Sequence, residues 1–130
     1  MSAEIIITWD PDKLFPITKR VYNFVCRNIG KSARKKKLQK ITEMCDAGLS
    51  DGRLLVIDLD NQNKMIFASL LLESLNNGSI TKEILSWDTP AICTKSLLNE
   101  NKTDDVIKFT FAYSQIASLR ELILHIKSME

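Results

Sequence analysis

Apolar positions along this chain follow two rhythms, one of period two and one of period three to four. Ile5-Ile6-Ile7-Thr8-Trp9 is a β-branched run closed by Asp10-Pro11, which predicts a buried first strand over about 4–9. Ile17, Val21, Phe24, Val25 and Ile29 then recur at helical spacing, predicting a helix over about 16–29 with Pro16 near its first position. Gly30 reads as its end and Ser32 as the cap of a second helix over about 33–47, with Leu38, Ile41 and Cys45 inward and Gly48 closing it. Residues 53–59, Arg-Leu-Leu-Val-Ile-Asp-Leu, are apolar on both faces at their centre and predict a second strand.

The segment 64–75 admits two readings. It is either a strand between the turns 60–63 and 76–78, or a buried helix ended by Gly78, because Asn77-Gly78 suits a hairpin and a helix C-terminus alike. The strand reading is preferred because Val106 to Tyr113 alternates: Ile107, Phe109, Phe111 and Tyr113 against Val106, Lys108, Thr110 and Ala112. Such alternation suits an antiparallel sheet with one wet face. Residues 79–87 then supply a further strand, residues 88–105 a polar loop with one helical turn at 94–98, and Ser114 caps a closing helix bearing Ile116, Leu119, Leu122, Ile123 and Ile126. The expected fold is one α+β domain over 1–130, a mostly antiparallel sheet of strands near 4–9, 53–59, 64–74, 79–87 and 106–113. Two N-terminal helices and one C-terminal helix cover it. The alternative is a three-layer α/β arrangement with 62–76 helical.

A chain of 130 residues can bury a core without metal or disulfide staples, and 45% hydrophobic with 26% charged residues is a globular composition. The longest uncharged apolar run is eight residues, 65–72, too short to span a bilayer. The first residues lack the basic start and apolar stretch of a signal peptide, and three cysteines without paired spacing suit a reducing compartment. The expected location is the cytoplasm, with no membrane association.

Charge sharpens the picture. Ten cations and no carboxylate lie between Lys13 and Lys40, on a chain whose net charge is only +2. Residues 1–64 carry twelve Lys/Arg against eight Asp/Glu, and residues 65–130 carry six against eight. Such a segment attracts anions, so Lys19, Arg20, Arg27, Lys31, Arg34, Lys35, Lys36, Lys37 and Lys40 are the candidate binding residues. Arg20, Arg27, Lys36 and Lys40 are the members expected to share one outward surface. Lys31 and Lys35–Lys37 with Arg34 sit oddly in this reading, crowding the start of the second helix, where the macrodipole is already positive. Solvent and salt absorb the cost, or the two helices run as one across Gly30, or an anion sits there, and the solvated reading is preferred.

Catalytic candidates are sparse. Val56-Ile57-Asp58-Leu59-Asp60-Asn61 resembles the first motif of haloacid-dehalogenase-type phosphatases. That resemblance implies a nucleophilic and an acid/base aspartate organising Mg²⁺, although Asn61-Gln62 replaces the usual Gly-Thr. An Asp-x-Asp pair at a strand end is also ordinary turn chemistry. His125 reads as an exposed residue one turn after Glu121, and Cys26, Cys45 and Cys93 lack zinc-ligand spacing. Glycines at 30, 48, 52 and 78 form no phosphate loop. No cofactor and no metal site are expected.

The expected function is non-catalytic binding of a protein partner, an acidic one by charge, as an adaptor or inhibitor; a toxin-neutralising immunity protein is one instance. The alternative is nucleic-acid binding through residues 19–40, and a remote one is an Asp58/Asp60 metal-dependent phosphatase-like enzyme.

Overall fold

The computed structural model describes residues 3–13, 15–88 and 103–128. Among these, the elements in chain order are strand β1 (Glu4–Ile6), helix α1 (Lys19–Lys35), helix α2 (Gln39–Asp51), strand β2 (Arg53–Leu55), a 3₁₀ turn (Val56–Asp58) and helices α3 (Asn61–Asn76), α4 (Ser79–Leu85) and α5 (Asp104–Ser128). The fold is mainly helical, which overturns the five-stranded antiparallel sheet and with it the α+β class. The sheet consists of β1 and β2, three residues each. They pair in parallel with Glu4 opposite Arg53, Ile5 opposite Leu54 and Ile6 opposite Leu55. The alternative α/β reading anticipated a helical 62–76, but this two-stranded ribbon is too small to form a middle layer.

Each lost strand has a local cause. Asp60 caps α3, its carboxylate accepting from the backbone N–H of Asn63 at 2.8 Å. The run behind it is rich in Met, Ala and Leu, which lose little freedom in a helix, and it buries Phe67, Ala68, Leu70, Leu71 and Leu75. Gly78, at φ +77°, turns the chain straight into α4, so Asn77-Gly78 separates two helices and no hairpin forms. The period-two pattern of 106–113 belongs to the first turns of α5. There Ile107 and Ala112 are buried while Phe109 and Tyr113 face outward. Ser114 lies inside that helix, its hydroxyl donating to the Phe111 carbonyl at 2.8 Å. The helical turn expected at 94–98, and Cys93, fall outside the described residues.

The two N-terminal helices are present with shifted ends. Thr18 caps α1, accepting from Val21 N–H at 3.4 Å. The helix runs through Gly30, whose missing side chain lets α2 approach: a Cβ there would stand 3.2 Å from the Cβ of Cys45. The break comes at Lys36–Leu38, where Lys37 takes φ +60°. Gly48 likewise lies within α2, and Gly52, at φ +69°, ends it. Between α1, α2 and β2 sits a fully buried seam of Tyr22, Val25, Cys26, Ile41, Cys45 and Leu54. The Tyr22 hydroxyl donates to the Gly48 carbonyl at 2.7 Å, and burial raises its pKa. On the other side of α1, Asn28 donates to Ser74 Oγ at 3.0 Å, and Ser74 donates to the Leu70 carbonyl, tying α1 to α3. Helix α5 packs on α3 and α4.

Candidate functional site

The nine candidate cations are engaged in different ways. Arg20 lays its guanidinium over the Trp87 ring, 4.7 Å from the centroid, which joins the start of α1 to the end of α4. Lys36 pairs with Glu73 of α3 at 3.4 Å, and Lys40 pairs with Asp60 at 3.3 Å. Both are therefore bridges from the α1–α2 corner to α3, so of the four residues expected to share an outward surface, Arg20, Lys36 and Lys40 are each engaged within the chain. Lys19 opens α1, and Lys37 occupies the left-handed position of the corner.

A different subset converges. Arg27, Lys31 and Arg34 stand at i, i+4 and i+7 on α1, and Lys35 adjoins them; together they form one wall of a groove between α1 and α2. The groove has a volume of about 480 Å³. Gly30 and Leu49 contribute a small and an apolar surface, Cys26 lies beneath them, and Asp46 forms the acidic spot on the α2 wall. Arg34 reaches across to Asp46 at 2.9 Å, both side chains remaining more than half exposed. Arg27, Lys31 and Lys35 take part in no ion pair among the described residues. Gly30 thus acts twice: it draws the two helices together and leaves the groove open where a side chain would have filled it.

The fold also resolves the odd crowding of cations. Arg34 and Lys35 belong to the last turn of α1, where the helix dipole is negative and cations are favoured. Gly30 lies inside α1, as the reading of a helix continuing across it allowed, so these cations sit at the C-terminal end of one helix and not at the start of the next.

The two aspartates of the Asp-x-Asp motif are in separate settings. Val56–Asp58 is a 3₁₀ turn, so no strand presents them. Asp60 is engaged by Asn63 and Lys40, and the Asn63 N–H bond, foremost, holds its carboxyl below the ordinary value. Asp58 lines a cleft of about 350 Å³ with Lys40, Glu43, Met44, Asp51, Arg53 and Leu59. Among the described residues no group of three or more His, Cys, Asp or Glu side chains could hold a metal ion. His125 is half-buried, not exposed, its ring 5.8 Å from that of Phe15. Cys26 and Cys45 are free thiols; burial pushes Cys26 up to about 11 and Cys45 up to about 12, so neither is a ready nucleophile. No helix among the described residues is long and apolar enough to cross a membrane.

No family model matches the chain, and neither does any curated protein or solved structure.

Proposed function

We propose that this chain is a non-catalytic binding protein that holds an acidic segment of a protein partner in the groove between α1 and α2. The observation that carries this reading is the row Arg27, Lys31 and Lys35, free of internal ion pairs among the described residues, beside an apolar edge at Leu49. A carboxylate-bearing segment with an aliphatic side chain meets both halves of that surface: charge steers and orients it, and the apolar contact holds it. Asp46 on the opposite wall disfavours a uniformly anionic ligand such as a phosphate backbone, which supports protein over nucleic acid. An adaptor or an inhibitor, including an immunity protein, works by such docking. The unpaired thiols Cys26 and Cys45 support a reducing, cytoplasmic setting.

Fluorescence anisotropy separates these readings with two labelled probes: a Glu-rich peptide with interspersed Leu, and a single-stranded oligonucleotide of equal charge. The peptide is expected to bind more tightly, with affinity falling as salt rises, and the R27E/K31E variant is expected to weaken it about tenfold or more. Tighter binding of the oligonucleotide, or a double variant that binds the peptide like the parent, would refute the proposal.

A further inference from the structure

Helix α5 is apolar on two sides. Its inner side buries Ile107, Ala112, Leu119, Leu122, Ile123 and Ile126. Its outer side carries Val106, Phe109, Tyr113 and Leu124, and Phe109 and Tyr113 are 60% and 77% exposed. Contiguous exposed apolar surface along one face of a helix is the kind of patch that marks an interaction site.

Positions 106, 109, 113, 117, 120 and 124 follow one another at helical spacing along this side. The row is self-complementary when read from its two ends. Val106 and Leu124 terminate it, Phe109 and Arg120 lie one step in, and Tyr113 and Ala117 flank the middle. The charges along its edge choose the partner and the direction. Asp105 and Lys127 lie on the same edge at opposite ends of the helix, and both are exposed.

We propose that α5 pairs with α5 of a second copy of this chain, antiparallel and across a two-fold axis. In that alignment Val106 meets Leu124 of the second copy, and Tyr113 covers the small Ala117. Phe109 offers its ring to the Arg120 guanidinium. Asp105 faces Lys127 twice, once on each side of the axis, and Thr110 can donate its hydroxyl proton to the Glu121 carboxylate. A parallel pairing would instead set Arg120 against Arg120 within the stripe and leave Asp105 without Lys127 opposite it, so the charges favour the antiparallel one. The isologous arrangement is also the commonest way for a chain to bury a surface against itself. The stripe is about 27 Å long by the helical rise. One helix per copy makes a small interface, so the dimer belongs to the weak class, half-dissociated at about 10–100 µM.

Sedimentation equilibrium on the full chain over a concentration series tests this. The parent is expected to shift from monomer to dimer across that range. F109E and Y113E, on exposed positions that leave the helical circular dichroism unchanged, are each expected to weaken association at least tenfold. D105K and K127D are each expected to weaken it severalfold, and an equimolar mixture of the two is expected to recover the parent affinity as a heterodimer. The two residues are about 33 Å apart along one helix, so recovery on mixing requires two chains. A parent that stays monomeric to about 1 mM, a dimer indifferent to F109E, or no recovery on mixing would each overturn the proposal.

Discussion

Alkaline pH should loosen this protein, and the cause lies in the α1–α2 seam. Cys26 and Cys45 are fully buried, and loss of hydration drives both thiol pKa values up from 9.0, to about 11 and about 12. Below pH 9 both thiols are protonated whether the chain is folded or not, and folding is indifferent to them. Above pH 9 the unfolded chain releases these protons while the folded chain keeps them. The unfolded state then binds fewer protons, and stability falls as pH rises. Each thiol contributes a loss of about 1.4 kcal/mol per pH unit across this window, so moving from pH 7 to pH 10 removes about 2–3 kcal/mol. Tyr22, whose pKa is also raised from its ordinary 10.0, adds its own loss only above pH 10. For a domain stable by about 5–15 kcal/mol the thiol effect is large. Urea unfolding followed by far-ultraviolet circular dichroism at pH 7, 8, 9 and 10, with reductant, measures it. The doubly substituted C26A/C45A chain is expected to start less stable at pH 7 but to lose the decline between pH 9 and 10. Equal unfolding free energies at pH 7 and pH 10 in the parent would refute the reasoning, because the thiols would then ionise as easily inside the fold as outside it.

Substitutions at three further positions probe the packing of α1 against α2 and the cap of α3. A Cβ added by Gly48→Ala would stand 2.8 Å from Leu54 Cδ1 and 2.9 Å from the Tyr22 hydroxyl oxygen, and both side chains are locked in the core. Overpacking of that kind costs about 1–3 kcal/mol against about 1 kcal/mol of improved helix propensity, so thermal unfolding should show a lower midpoint. Gly30→Ala, with its single 3.2 Å contact, should lower the midpoint less. At the start of α3, Asp60→Ala should lower the midpoint by removing the acceptor for Asn63 N–H, while Asp60→Asn, which can still cap, should recover most of it. Equal losses from both Asp60 variants would instead point to the Lys40 ion pair.

The parts of the fold legible in the sequence were those with one dominant signal. The apolar stripe Val21, Val25, Ile29 and the run Ile41, Cys45 are buried as their spacing demands, and Leu119, Leu122, Ile123 and Ile126 hold the inner side of α5. What misled were residues whose local signal has two physical meanings. Gly30 and Gly48 looked like helix ends, yet each is a point where neighbouring groups come too close for a side chain. Asn77-Gly78 supplies a left-handed turn, and such a turn serves two helices as well as two strands. In 106–113 both faces of one helix are apolar, so reading every second residue gave a false strand. The residues that produced the error, Phe109 and Tyr113, are those left facing outward.

The basic run shows the same division between what composition can say and what only geometry can. Composition establishes that cations are concentrated in 13–40, and a field of one sign favours groups of the other. It cannot say which anions belong to the chain itself. Arg34 meets Asp46, Lys36 meets Glu73 and Lys40 meets Asp60, so three acids distant in sequence consume three cations that looked available. The last turn of α1 uses charge in a further way, opposing the negative end of its own helix. These exposed pairs are each worth little in stability, but they fix which side chains are left without an internal counter-ion among the described residues. If Asp46 were removed by Asp46→Ala, Arg34 would join Arg27, Lys31 and Lys35 along the groove. Affinity for the Glu-rich peptide should then rise while salt dependence steepens. A variant that bound the peptide no better than the parent would mean that the groove is not where the acidic segment lies.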